Sequence, residues 1–129
     1  MSNHLFQEGD FTFNSGLHSP FKIECDALSI ESWRTLAVMA CELLPLFSEV
    51  EYVPRGGLPF ARALEDYKSP YGYPTLLVDD VYTTGGSINR IRGDRTNLIG
   101  VVAFAWNKPP DWIIPIVCMN PLLYQKMCS

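Results

Sequence analysis

The stretch Leu76-Leu77-Val78-Asp79-Asp80-Val81-Tyr82-Thr83-Thr84-Gly85-Gly86-Ser87 decides the fold. Its opening, Thr75 to Val78, lacks the polar alternation of a half-exposed strand and predicts a strand buried on both faces. Two carboxylates follow, then two hydroxyls, two glycines, and a third hydroxyl where a helix begins. Glycines turn tightly and leave backbone N–H groups open to a ligand. A helix N-terminus adds a partial positive charge that favours an anion. Thr83, Thr84 and Ser87 can donate to the same anion, whereas Asp79 and Asp80 are poor phosphate neighbours but good acceptors for sugar hydroxyls. Together they describe a pocket for a phosphate carried on a polyol. A bare Gly-Gly turn would be no more than a strand–turn–helix corner with capping aspartates.

Upstream, Val50 to Val53 reads as a short strand, Pro54-Arg55-Gly56-Gly57 as a sharp turn, and Leu58 to Tyr67 as a helix opening on the glycine pair. A turn rich in proline and glycine, Ser69 to Pro74, leads into the central strand. Further back, Trp33, Leu36, Ala37, Ala40, Leu44 and Phe47 recur at helical spacing between Ile30 and Phe47, with Glu31, Arg34 and Glu42 opposite. Ser29 or Ser32 can cap that helix, and Pro45 should end or kink it. Phe11 to Leu28 predicts short strands and turns lying over one end of the domain. Downstream come a short helix near Ser87 to Arg92, apolar β-rich segments at Leu98–Trp106 and Trp112–Met119, and a short helix from Pro121. Strands alternating with helices imply an α/β fold whose sheet is mainly parallel and flanked by helices. Sites in such sheets lie beyond the carboxyl ends of the strands, where both glycine loops fall.

The 129 residues fit one domain, 1–129, with 1–28 as a small N-terminal segment. An apolar content of 47% and a charged content of 19% are those of a folded globular chain. The net charge of −4 gives no basic footprint for nucleic acid. No stretch is long and apolar enough to span a membrane, and Met1 to Glu8 lacks the pattern of a signal peptide. Cys25, Cys41, Cys118 and Cys128 have no metal-binding spacing and read as free thiols, which suits a cytoplasmic location.

The ten residues Val78 to Ser87 match the ribose-phosphate motif of type I phosphoribosyltransferases nearly position for position. Val53-Pro54-Arg55-Gly56-Gly57 resembles the pyrophosphate loop of the same family, with Arg55 as a cationic fork for phosphate oxygens. Phe11 to Phe21 resembles the N-terminal hood of orotate phosphoribosyltransferases, and Trp112 to Leu123 their last strand and following turn. The resemblance implies a type I phosphoribosyltransferase-like fold with a hood at 1–28. It implies phosphate and ribose binding by Asp79, Asp80, Thr83, Thr84, Gly85, Gly86 and Ser87, and pyrophosphate binding by Arg55, Gly56 and Gly57. Mg2+, bound through ligand oxygens, is the implied metal, with no direct protein ligand.

The chain departs from that pattern in two places, and both remove positive charge. Family members carry a long flexible arm with a basic residue between the pyrophosphate-loop helix and the ribose-phosphate strand. Here Leu58 to Val78 leaves room for one helix, one turn and one strand, and Lys68 is the basic candidate left. Asn14 stands where orotate enzymes have a lysine, with Lys22 nearby but out of register. Catalytic candidates are therefore Asp79, Asp80 and Lys68. On the base side the candidates are Phe13, Asn14, Lys108 and Trp112; the loop Trp106 to Trp112 also looks loosely like the base loop of xanthine-guanine enzymes. Loop tryptophans serve equally as dimer contacts, so a homodimer is a further expectation. Losing a preorganised charge donor costs on the order of a hundredfold in rate. The expected function is a binder of a 5'-phosphorylated ribonucleotide or phosphoribosyl pyrophosphate, sensing or sequestering it with little or no turnover. The alternative is an active phosphoribosyltransferase, directed at orotate or another nucleobase.

Overall fold

The structure is a computed structural model that describes residues 5–12, 18–71 and 73–119, with side chains described outside β1 and β2. Strands β1 (Phe6–Thr12) and β2 (His18–Ile23) form an antiparallel pair, with Phe6 opposite Ile23 and Thr12 opposite His18. This pair starts five residues before the irregular segment expected from Phe11, since Phe6 and Phe11 belong to one strand.

The remaining strands form a parallel sheet in the order β3-β4-β5-β6, comprising Glu49–Tyr52, Thr75–Tyr82, Leu98–Ala105 and Ile113–Cys118. Register runs Glu49 to Thr75, Thr75 to Leu98 and Gly100 to Ile113. The expected mainly parallel sheet flanked by helices is thus the observed architecture. Leu76, Leu77 and Val78 are fully buried, as a central strand covered on both faces requires.

Helix α1 (Ile30–Leu43) is capped by Ser29, whose side chain accepts from Ser32 N at 3.1 Å. It ends at Leu43, four residues short of the predicted Phe47. The residue before a proline is pushed out of the α region, and Leu44, ahead of Pro45, is extended at φ −92 and ψ 145. Helix α2 (Leu58–Leu64) continues as a single 3-10 turn, Glu65–Tyr67, and has Pro59 in its first turn, where no intrahelical donor is lost. Helix α3 spans Gly86–Arg92. The helix expected from Pro121 and the cysteine at 128 lie outside the described residues.

Alternation along β4 separates two apolar layers. Leu76 and Val78 pack with Trp33, Leu36 and Ala40 of α1 and Phe60 and Leu64 of α2, and the Trp33 and Phe60 rings stack 5.5 Å apart. Leu77 packs on the other side with Ile88 of α3, Val102 and Ile113. Truncating Phe60, which is fully buried, to Ala would cost about 3–5 kcal/mol. No helix among the described residues is long and apolar enough to cross a membrane.

Candidate functional site

Both glycine loops leave the sheet at the carboxyl ends of adjacent strands. After β3, Val53 N donates to Val78 O at 2.8 Å, which carries the chain alongside β4 before it turns. The Pro54–Arg55 peptide is cis, and Gly57 N donates to Val53 O at 3.1 Å. Gly57 is buried against the sheet backbone, where a Cβ would lie 2.5 Å from Val78 O. Gly56 faces the other way, against the carboxylate of Asp80; a Cβ there would lie 2.7 Å from Asp80 Cγ. Gly56 of the first loop thus meets Asp80 at the end of β4, while Thr83 to Ser87 are not among the residues that line the cleft beside them.

Asp79 and Asp80 are adjacent in sequence but differently placed. Asp79 is buried, 8% exposed, and its Oδ1 accepts from Asp80 N at 2.8 Å. Burial first, and then the neighbouring Asp80 carboxylate, push Asp79 up to about 8. Asp80 is half-buried, accepts from Val81 N at 2.8 Å, and opens into a cleft of about 360 Å³ lined also by Glu24, Cys25, Asp26, Trp33, Arg55, Gly56 and Pro59. Burial and the nearby Asp80 carboxylate push the Cys25 thiol well above its ordinary range, so it stays protonated. The cleft adjoins a second cavity of about 460 Å³, shared through Cys25, Asp26, Trp33 and Pro59, that carries Arg34 and Arg62.

The second glycine loop, the candidate for ribose phosphate, follows β4. Thr84, Gly86 and Ser87 are exposed, and Thr83 is half-buried. Gly85 is buried in the left-handed region at φ 81, with the Tyr82 ring so close that a Cβ would lie 2.6 Å from it. Around Gly86 there is open space. Asn107 Nδ2 donates to Thr83 O at 2.7 Å, and Trp106 N donates to Tyr82 O at 2.8 Å, so the segment after β5 lies against this loop.

Other candidates lie elsewhere. Lys68 is at the amino-terminal edge of the sheet, opposite the site: its neighbour Ser69 bonds Phe47 O, and Pro74 O takes Ser48 N beside the first register pair, Glu49 and Thr75. There it is ion-paired with Glu65 at 2.9 Å. Lys68, the basic candidate left near the arm's position, is thus placed apart from Asp80 and the glycine loops. The chain leaves α2 at the end of the sheet remote from Asp80, and it enters β4 there. Lys108 is exposed over a separate cavity of about 240 Å³ bounded by Pro109, Pro110 and Asp111. Trp112 is half-buried as a packing residue: the Arg92 guanidinium lies 4.5 Å over its ring, and its edge closes on Gly100. Phe13 and Asn14 lie outside the described residues.

Sequence reading missed Glu24, Cys25, Asp26, Trp33 and Pro59 as cleft residues. Trp33 is part of the helical core stripe and Cys25 looks like any buried thiol, so nothing local marks them. Asn107 falls inside the loop Trp106 to Trp112, and nothing in its sequence neighbourhood marks it as a partner of Thr83. Among the described residues no cluster of three or more His, Cys, Asp or Glu side chains is placed to hold a metal.

By sequence, no protein-family model and no curated protein matches the chain. Solved structures do. The orotate phosphoribosyltransferase of Aeropyrum pernix is similar at a TM-score of 0.72 and 21% identity, over 97% of this chain and 94% of that one. The UMP synthase of Leishmania donovani is similar at a TM-score of 0.70 and 20% identity; the alignment covers 98% of this chain but spans 36% of that protein's length. The orotate phosphoribosyltransferase of Francisella tularensis is similar at a TM-score of 0.59 and 14% identity, over 98% of this chain and 87% of that one. With its four-stranded parallel sheet, its flanking helices and these neighbours, the chain has the type I phosphoribosyltransferase fold.

Proposed function

We propose that the chain binds a 5'-phosphorylated ribonucleotide or phosphoribosyl pyrophosphate in the cleft between Arg55–Gly56 and Asp80, and senses or sequesters it with little or no turnover. The contact of Gly56 with the Asp80 carboxylate carries this reading, because it sets a phosphate loop beside a sugar acceptor. The 5'-phosphate sits on Thr83 to Ser87, where hydroxyls and loop amides donate to it. Asp80 accepts from the ribose hydroxyls, with Asp79 buried behind it. Arg55 and the amides of its loop take the pyrophosphate end. The structural neighbours are enzymes named for orotate phosphoribosyl transfer and UMP synthesis, which supports a phosphoribosyl ligand for this fold.

Weak turnover follows from charge. Departure of pyrophosphate needs preorganised cations and exclusion of water. Arg55 is the basic side chain among the described residues that line the cleft, and Lys68 is held by Glu65 at the opposite edge. With Glu24, Asp26 and Asp80 lining the same cleft as Arg55, a phosphorylated ligand calls for a Mg2+ ion carried on its own oxygens. Such an ion would neutralise the diphosphate. Cys25 and Cys41 carry no disulfide, which suits a cytoplasmic setting, and a homodimer would bring a further cation besides Arg34 and Arg62 of the adjoining cavity.

Calorimetry with phosphoribosyl pyrophosphate and 5'-nucleotides, with and without Mg2+, tests binding. An assay with phosphoribosyl pyrophosphate, Mg2+ and orotate or a purine base, run across protein concentration, tests turnover. Absence of binding would sink the proposal. Nucleotide formation at about one per second or faster would replace the binder with an enzyme.

A further inference from the structure

The ribose-phosphate loop has two carbonyls held by side chains outside the motif's phosphate-binding positions. Asn107 Nδ2 donates to Thr83 O at 2.7 Å, and the Tyr82 hydroxyl donates, more weakly, to Thr84 O at 3.5 Å. In a trans peptide the carbonyl and the following N–H point in opposite directions. Fixing Thr83 O therefore turns the Thr84 N–H away from Asn107, and fixing Thr84 O turns the Gly85 N–H away from Tyr82. The amides of Thr84, Gly85, Gly86 and Ser87 donate to no described residue. The brace thus sets the Thr84 and Gly85 N–H groups, and with the Gly86 and Ser87 amides they remain unspent donors for an anion.

The rest of the post-β5 segment works in the same direction. Trp106 N fixes Tyr82 O at 2.8 Å. Trp112, at the far end of the segment, packs beneath the Arg92 guanidinium at the last turn of α3, the helix that begins in the loop. Both ends of the loop–helix unit are therefore tied to residues 106–112.

We infer that Asn107, assisted by Tyr82, is a positioning residue for the 5'-phosphate: it does not touch the ligand but sets the peptide orientations of Thr83 to Gly85 that bind it. The inference rests on the binding reading above and assigns the loop after β5 to phosphate affinity and not to base contact. It also explains why an exposed asparagine is held in a single short bond far along the chain from its partner.

The experiment compares wild type, Asn107→Ala, Asn107→Asp and Tyr82→Phe. Asn107→Asp keeps the shape and removes the donor. Backbone 15N relaxation without ligand reads the order of Thr83 to Gly86 on the ps–ns timescale. Calorimetry reads ribose 5-phosphate, phosphoribosyl pyrophosphate and inorganic pyrophosphate. In both Asn107 variants the loop should lose order, and both phosphorylated sugars should bind about tenfold more weakly, the weight of one lost hydrogen bond. Tyr82→Phe should show a smaller loss of the same kind. Pyrophosphate, held by the Arg55 loop, should be unaffected in all three. An unchanged loop, an unchanged sugar-phosphate affinity, or an equal loss for pyrophosphate would each overturn the inference. A wild-type chain that binds neither sugar phosphate overturns the underlying binding reading, while the relaxation arm still decides whether Asn107 orders the loop.

Discussion

Gly56 rests against the Asp80 carboxylate so closely that a Cβ at 56 would lie 2.7 Å from Asp80 Cγ. Gly57, next in the chain, faces sheet backbone instead, with Val78 O at 2.5 Å and Val53 O at 3.0 Å from where its Cβ would be. A carboxylate can swing aside and backbone cannot, so the two glycines should fail differently. Gly56→Ala should leave the melting temperature nearly unchanged and weaken ligand by about tenfold, through a displaced Asp80. Gly57→Ala should destabilise the fold by about 1–3 kcal/mol, as overpacking does. Thermal melts paired with calorimetry separate them, and similar behaviour of the two variants would refute the assignment of Gly56 to the site.

Asp80 opens into the cleft and is available to a sugar hydroxyl. Asp80→Asn should therefore weaken a 5'-ribonucleotide far more than its 2'-deoxy counterpart, because the latter lacks a donor that the carboxylate accepts. Equal losses measured by calorimetry would point to a metal or capping role.

In the loop proposed to hold the ribose phosphate the two glycines again differ. Gly86 has open space around it and no positive φ, so Gly86→Val should fold normally and obstruct the ligand. Gly85 sits at φ 81 against the Tyr82 ring, so Gly85→Ala should destabilise the fold itself, by about 1–3 kcal/mol. Thr84→Ala removes an exposed hydroxyl and should cost binding without lowering the melting temperature. Full affinity in Thr84→Ala and Gly86→Val, with matching melts, would remove the loop from the site.

Asp79 makes stability depend on pH. Its folded pKa is raised from 3.8 to about 8, so the folded state holds a proton that the unfolded state has released across that window. Its contribution is thus fully present below about pH 4 and is lost progressively as pH rises through 8. Asp79→Asn should melt higher than wild type at pH 8, with the gap closing toward pH 4. Melting curves that run parallel from pH 4 to 8 would contradict the burial of a protonated Asp79.

Sequence by itself determined the strand, loop and helix of residues 75–92, the helical stripe through Trp33 and Ala40, and the alternation that makes the sheet parallel. Those signals are local: apolar runs, helical spacing, glycines where the chain must turn and a cap at Ser29. It even contained the reason α1 ends early, since Pro45 forces Leu44 to be extended. Sheet register decided what local signals do not reach. Parallel pairing of β3 with β4 brings Gly56 onto Asp80 and carries Lys68 to the opposite edge, although Lys68 is nearer to Asp80 in sequence than Gly56 is. Pairing of β4 with β5 sets Asn107 beside Thr83, and α3 returning along the sheet places Arg92 over Trp112. Two adjacent aspartates acquire unlike environments because the sheet buries one and leaves the other facing a cleft, a difference of solvation that no spacing in the sequence expresses.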